Sequence, residues 1–225
     1  MLAKKYLSRV VSVQNPFDSI YTLEFESLGG SFKYLPGQFL HLAIDSLYDG
    51  SGQWPDSRCF SMQSNPDNPE IKITYAVKGR FTRQIEQELR VGSEVWLKLP
   101  YGDLFTQQHN KEKTVFIAGG TGITPFLSLF THASFNEYKG SRIYLGFKSR
   151  SFNIYMHELK SIDSADPVIY YEDIEGLLDI DLIFKENGSD SSYFISGPPV
   201  MIKSFKKALI ETGVADDNVL TDEWE

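Results

Sequence analysis

The stretch VFIAGGTGITPFLSL (115–129) holds the residues best suited to chemistry. An apolar run, Val115 to Ala118, leads into Gly119, Gly120, Thr121, Gly122, Ile123, Thr124 and Pro125, and a helical pattern follows. Glycines permit a tight turn and let the backbone approach a bulky anion. A helix that starts there offers free amides and the positive end of its dipole, which suits pyrophosphate. Pro125 fits the first helical turn, where its missing N–H removes no bond. The pattern is not G-x-G-x-x-G, since Pro125 occupies the third glycine position, and no Lys-Ser/Thr pair makes it a P-loop. The reading is a dinucleotide site, against the plainer alternative of an ordinary strand–helix turn.

Other chemistries find less support. The single cysteine, Cys59, excludes an internal disulfide and an iron–sulfur cluster ligated by cysteines of this chain alone. His41, His109, His132 and His157 show no metal-ligand spacing, so no metal centre is expected. A net charge of -8 argues against nucleic acid or an anionic membrane as partner. No apolar run approaches the roughly 20 residues that span a bilayer. The opening MLAKKYLSRVVSV reads as a strand rather than a signal peptide, and the expected location is cytoplasmic.

The elements that position the glycine turn fall into two kinds. Before residue 108, LSRVVSV, YTLEFES, QFLHLAI, RCFSM, EIKITYAV and EVWLKLP are short runs rich in β-branched and aromatic residues, separated by Gly, Pro, Asn and Asp. They predict an antiparallel barrel or sandwich. One helix interrupts them, with Phe81, Ile85 and Leu89 on one stripe. QQHNKEK (107–113) reads as a linker. Beyond it strands and helices alternate: TVFIAGG, then a helix over 124–135, RIYLGFK, a helix over 152–162, PVIYY, an ambiguous 174–186, YFISG, a helix over 198–213, and a closing VLTDEW strand. Alternation implies a parallel sheet covered by helices. The expected division is 1–108 and 109–225, with the chemistry between the two domains at the carboxyl ends of the parallel strands.

LPGQFL (35–40), RCFSMQS (58–64), VKGRFTRQI (77–85), LPYGDLF (99–105), VFIAGGTGITPFLSL (115–129) and YFISGPPVMIKSF (193–205) occur together and in this order. The chain thereby resembles the ferredoxin–NADP reductase superfamily over nearly its whole length. The resemblance implies an N-terminal antiparallel β-barrel that binds FAD (FMN being the alternative) and a C-terminal α/β domain with a five-stranded parallel sheet that binds NADH or NADPH. RCFSMQS is similar to the family's Arg-x-Tyr-Ser motif. By that match Arg58 pairs with a flavin phosphate, Phe60 lies against the isoalloxazine and Ser61 hydrogen-bonds near its N5. Phe60 replaces the family's Tyr, which keeps the ring and loses the hydroxyl. The second flavin segment is matched by Ala76, Val77, Lys78, Gly79, Phe81 and Thr82, with Gly79 and Thr82 holding phosphates. Arg80 and Arg83 read as solvated or as added charge.

In the second domain, the resemblance places Gly120, Thr121, Gly122, Thr124 and Pro125 around the nicotinamide nucleotide. Gly197, Pro198 and Met201 let the nicotinamide pack close to the backbone. Ser196 stands where the family often has cysteine. Trp224 is matched to the family's C-terminal aromatic lid on the flavin. Lys148 and Arg150 are candidate partners for a 2′-phosphate, whereas Glu172 and Asp173 would repel one, so NADH is the favoured donor. Gly122→Val is expected to block the nicotinamide while leaving flavin bound. Together these imply a reductase that passes a hydride from NAD(P)H to FAD and electrons to a separate acceptor, such as a ferredoxin, a flavodoxin or an oxygenase component. Alternatives are a free flavin, ferric or quinone reductase, an electron-transfer subunit of a larger complex, and a non-catalytic nucleotide sensor.

Overall fold

The computed structural model describes residues 2–160, 162 and 166–222. The chain forms two compact units, Met1–Asp103 and Leu104–Glu225. The sequence-based boundary at 108 falls five residues later. Leu104 and Phe105 explain the difference, because both pack into the core of the second unit.

In the first unit, β1 (Lys4–Phe17), β2 (Ile20–Ser27), β3 (Phe39–Ala43), β4 (Ser57–Ser61), β5 (Ile71–Ala76) and β6 (Glu94–Tyr101) form one antiparallel sheet in the order β4-β3-β6-β1-β2-β5. All six expected strands form. Alternation turns Val10, Leu23, Phe25, Leu40, Leu42, Ile71, Ile73 and Leu97 inward, each 1% exposed or less. The two edge strands meet across a seam. Gln63 N–H donates to Lys72 O at 2.8 Å, Thr74 Oγ1 donates to Gln63 Oε1 at 2.6 Å, and the Phe60 and Tyr75 rings lie 5.8 Å apart. The sheet thus curls into a barrel. Helix α1 (Arg80–Glu88) lays Phe81 and Ile85 on the barrel core, with Leu89 at its C-cap also buried, as the four-residue spacing predicts.

In the second unit, β7 (Thr114–Gly119), β8 (Arg142–Phe147), β9 (Val168–Tyr171), β10 (Ser192–Ser196) and β11 (Val219–Thr221) form a parallel sheet in the order β11-β10-β7-β8-β9. Its helices are α2 (Thr124–Phe130), α3 (Met156–Lys160), α4 (Ile180–Asn187) and α5 (Pro199–Glu211). The expected helix over 124–135 stops at Phe130. Thr131 turns its hydroxyl onto Leu127 O at 2.8 Å, and His132 Nδ1 accepts the Ser134 amide at 3.1 Å, which starts a separate 3₁₀ turn. The expected helix over 152–162 is likewise reduced to α3, preceded by a 3₁₀ turn at Arg150–Phe152. The ambiguous 174–186 segment resolves into a turn and α4, whose start is fixed by Asp179 accepting from the amides of Asp181 and Leu182. The 107–113 stretch is more than a spacer: the His109 imidazole packs on Tyr138 and Phe194, and Asn110 N–H donates to Ser192 Oγ at 3.0 Å.

Candidate functional site

On the barrel, the candidate flavin residues cluster where β4 meets the start of α1. Arg58 is half exposed and stacks its guanidinium 5.3 Å above the Phe81 ring. It donates to Asp56 Oδ1 at 2.8 Å and to Ser57 O at 2.6 Å. Arg80 approaches the other oxygen of Asp56 at 3.5 Å. Asp56, which sequence reasoning passed over, therefore gathers both cations, and the bond from Arg58 holds its carboxyl below the usual range. Its signal was present only as a carboxylate two residues before the Arg-x-aromatic-Ser run.

Thr82 does something other than expected. Its hydroxyl accepts from the amides of Lys78 (3.0 Å) and Gly79 (3.1 Å) and donates to Gly79 O, so it closes the turn that launches α1. Ala76 ends β5 opposite Ile20, and Val77 N–H donates to Ser19 O at 2.8 Å, which fixes the approach to that turn. Gly79 has an ordinary φ of -127°, and an added Cβ there would meet nothing within 4 Å. Its backbone faces open space at a helix N-terminus beside two arginines, a setting that fits the phosphates of a flavin nucleotide. Phe60 is half buried with its ring edge-on to Tyr75, and Ser61 ends β4 opposite Phe39. Among the described residues the Ser61 hydroxyl has no hydrogen-bond partner.

In the parallel unit, β7 is the turning point of the sheet: β8 and β9 lie on one side of it, and β10 and β11 on the other. Ligands of open α/β sheets bind at the carboxyl ends of the strands at such a point. Here the glycine turns after β7 and β10 touch. A Cβ on Gly122 would lie 2.5 Å from Gly197 N and 2.6 Å from the carbonyl carbon of Ser196. A Cβ on Gly119 would lie 2.9 Å from Met201 Sδ and 3.0 Å from Pro198 Cδ. Gly197 itself sits at φ +154°, with Gly119 N 3.0 Å from where its Cβ would be. Gly122 is thus required by the protein's own packing, and the expectation that Gly122→Val acts on the nicotinamide alone is revised. Gly120, at φ +55°, has open space around it. Together with half-buried Thr121 it forms the accessible part of the turn. Thr124 is buried and donates to Thr121 O at 3.0 Å, and Pro125 is buried in the first turn of α2.

Ser196 is 2% exposed and its hydroxyl donates to Asp222 Oδ2 at 3.1 Å. Asp222 is held by its own amide on Ile195 O at 3.0 Å, and burial pushes its carboxyl up to about 7. Nothing in the sequence alone distinguishes Asp222 from the other acids of the C-terminal DNVLTDEWE stretch; only the register of β11 against β10 turns it inward. Trp224 lies outside the described residues. At the ends of β8 and β9, the amides of Glu172 and Asp173 bond to Phe147 O (2.8 Å) and Lys148 O (3.3 Å), so the two carboxylate residues continue the ladder beside Lys148. Lys148 lies over the Phe152 ring at 5.6 Å and Arg150 over Tyr171 at 5.7 Å.

Residues 116–207 match the family described as oxidoreductase NAD-binding domain. Methane monooxygenase component C of Methylosinus trichosporium is 28% identical over 142 residues, which cover 62% of this chain and 40% of that protein. The chain thus spans about two fifths of that curated relative's length. Among solved structures, the ferredoxin reductase in carbazole 1,9a-dioxygenase superposes with a TM-score of 0.79 at 20% identity, over 99% of this chain and 70% of that one. A ferredoxin NADP+ reductase from Neisseria gonorrhoeae, with bound FAD and NADP, superposes with a TM-score of 0.78 at 18% identity, over 95% and 92%. Both share the antiparallel barrel and parallel five-stranded sheet found here. The NAD-binding half is thus similar in sequence to the oxidoreductase NAD-binding domain, and the two-unit architecture has the fold of these reductases.

Proposed function

We propose that the chain is an NAD(P)H-dependent flavoprotein reductase that delivers electrons to a separate acceptor. The observation that carries this reading is the meeting of Gly119, Gly122 and Gly197 at the turning point of the parallel sheet, with Gly120 left open in front of it. Such a node presents bare backbone to a flat ring and amides to a pyrophosphate. The barrel supplies the second half of the reading. Arg58 and the start of α1 at Gly79 receive phosphate, and Ser61 offers a hydroxyl at the end of β4. When bound, FAD supplies the ring that accepts the hydride, and the reduced nicotinamide supplies it. The chain's own residues hold, orient and charge-balance these groups. No side chain here is asked to move a proton.

NADH is the preferred donor in this proposal. The two cations near the end of β8 each pack on an aromatic ring, while Glu172 and Asp173 stand beside Lys148. A 2′-phosphate entering there would meet like charge, which disfavours it. The acceptor is a small redox protein or an oxygenase component. Similarity to a methane monooxygenase component and to the ferredoxin reductase in carbazole 1,9a-dioxygenase supports that class. A specific observation also favours a loosely held flavin: Asp56 occupies Arg58, which is itself 54% exposed. That supports the second reading, in which flavin exchanges as a substrate.

Anaerobic mixing of the FAD-loaded protein with NADH and with NADPH, followed by the visible flavin spectrum, tests the proposal. NADH should bleach the flavin with a kcat/KM at least about tenfold above that for NADPH, equivalent to about 1.4 kcal/mol. Failure of both donors to bleach it would overturn the reductase reading. Desalting separates the two flavin readings, since a colourless protein that still oxidises NADH with added FAD is using flavin as a substrate.

A further inference from the structure

On the barrel, the sheet order places β1 and β6 opposite the seam where β4 meets β5. The candidate flavin residues belong to the seam, so the β1/β6 face is a separate surface. It carries a cavity of about 470 Å³, open to solvent, between the start of β1, the turn after β2 and Trp96. Three lysines line it, Lys4, Lys5 and Lys33, and no carboxylate does. That is unusual in a chain with 30 acidic and 22 basic residues. Lys5 is fixed in place, donating to Gly50 O at 3.1 Å and to the Tyr48 hydroxyl, with the Tyr48 ring 5.2 Å beneath it. Lys4 and Lys33 are exposed and have no ion pair among the described residues.

The backbone adds a second feature. From Lys4 to Leu7, β1 pairs with β6 only, because its ladder with β2 begins at Ser8 opposite Ser27. Leu28 N–H donates to Leu7 O at 2.9 Å, and from there the chain departs from β1. Ser27 Oγ accepts from Gly29 N–H and donates to Gly30 O, which holds this turn in shape. One edge of Lys4–Tyr6 is therefore left without a strand, beside the cationic groove. An exposed sheet edge binds an extended peptide through main-chain bonds, with side-chain pockets giving specificity.

We propose that this groove docks an extended acidic segment of a partner protein along β1, with carboxylates over Lys4, Lys5 and Lys33 and an apolar side chain against Trp96 and Leu28. The unpaired edge and the open shape favour a chain segment over a compact small anion. Within the barrel, the groove lies apart from the candidate flavin residues at the β4–β5 seam. It stands independently of the reductase reading.

The test is fluorescence anisotropy at low salt with a fluorescein-tagged pentapeptide, Glu-Asp-Phe-Glu-Asp, and the full chain. The parent should bind. Lys4→Glu/Lys33→Glu should bind about tenfold or more weakly, and the parent should bind Glu-Asp-Ala-Glu-Asp about threefold more weakly, in line with a few surface charge pairs and one apolar contact. Lys185→Glu/Lys207→Glu, a charge change of the same size on the other unit, should keep the parent's affinity. Circular dichroism shows that each variant is folded. The proposal is overturned if the parent does not bind, or if both double variants bind alike. It is also overturned if inorganic phosphate at equal concentration displaces the peptide, which would mark a small-anion site.

Discussion

Two carboxylates absent from the sequence-level site turn out to hold its side chains, Asp56 the two arginines and Asp222 the Ser196 hydroxyl. Asp56 competes with any phosphate for Arg58 and Arg80. Asp56→Asn should free both guanidiniums and tighten FAD binding by about three- to fivefold, read by flavin fluorescence titration. Exposed pairs of this kind contribute up to about 1 kcal/mol. Asp222 has the opposite character. Its carboxyl is raised from 3.8 to about 7, chiefly by burial. Between those values the folded chain keeps a proton that the unfolded chain has lost. Stability therefore falls as pH rises through that window, and the loss is complete above it. Asp222→Asn keeps a partner for the Ser196 hydroxyl and removes the fall. Thermal melts should show the variant at least about 2 °C above the parent at pH 8 and level with it at pH 4. Neither acid was legible in the sequence, because what distinguishes each is a neighbour brought close by folding. Arg58, Gly79 and Gly122 can be picked out as candidates from the sequence, because type and order alone mark them.

At the scale of elements, sequence reasoning did well where a periodic pattern had room to repeat. The α1 stripe and all six barrel strands follow from spacing. It overran at α2, which stops at Phe130 because Thr131 and His132 end it through side-chain bonds that periodicity does not register, and at α3, which starts only at Met156 after a 3₁₀ turn. It also gave Thr82 to a phosphate, whereas the hydroxyl closes the turn at Lys78 and Gly79. Thr82→Val should cost about 1 kcal/mol of stability, the usual worth of a lost cap, measurable by urea unfolding. The node between β7 and β10 makes a stronger demand. Gly122→Ala would press a methyl group into the Gly197 backbone, with no flexible side chain to yield. It should lower stability by about 1 to 3 kcal/mol, the range for overpacking, with or without bound nucleotide. Loss of NADH binding at unchanged stability would contradict this account.

For the molecule as a whole, the switch in pattern near residue 108 correctly foretells two architectures in one chain. The division falls at 103/104 because Leu104 and Phe105 join the aromatic cluster of Phe116, Phe126 and Phe194. Polar composition suggested a tether over 107–113, yet His109 and Asn110 tie that stretch to the parallel unit. Composition reports how a segment meets water on average. It does not report which of its few apolar or aromatic members has found a cavity.

The position of β4 at the margin of its sheet has a bearing on the Tyr-to-Phe departure at residue 60. A strand with a single ladder neighbour keeps main-chain donors and acceptors pointing away from that neighbour. A flat ligand with a polar rim can be read by those peptide groups whatever side chains flank it. Recognition that rests on the main chain tolerates the missing phenol, and Phe60→Tyr would then change flavin affinity little.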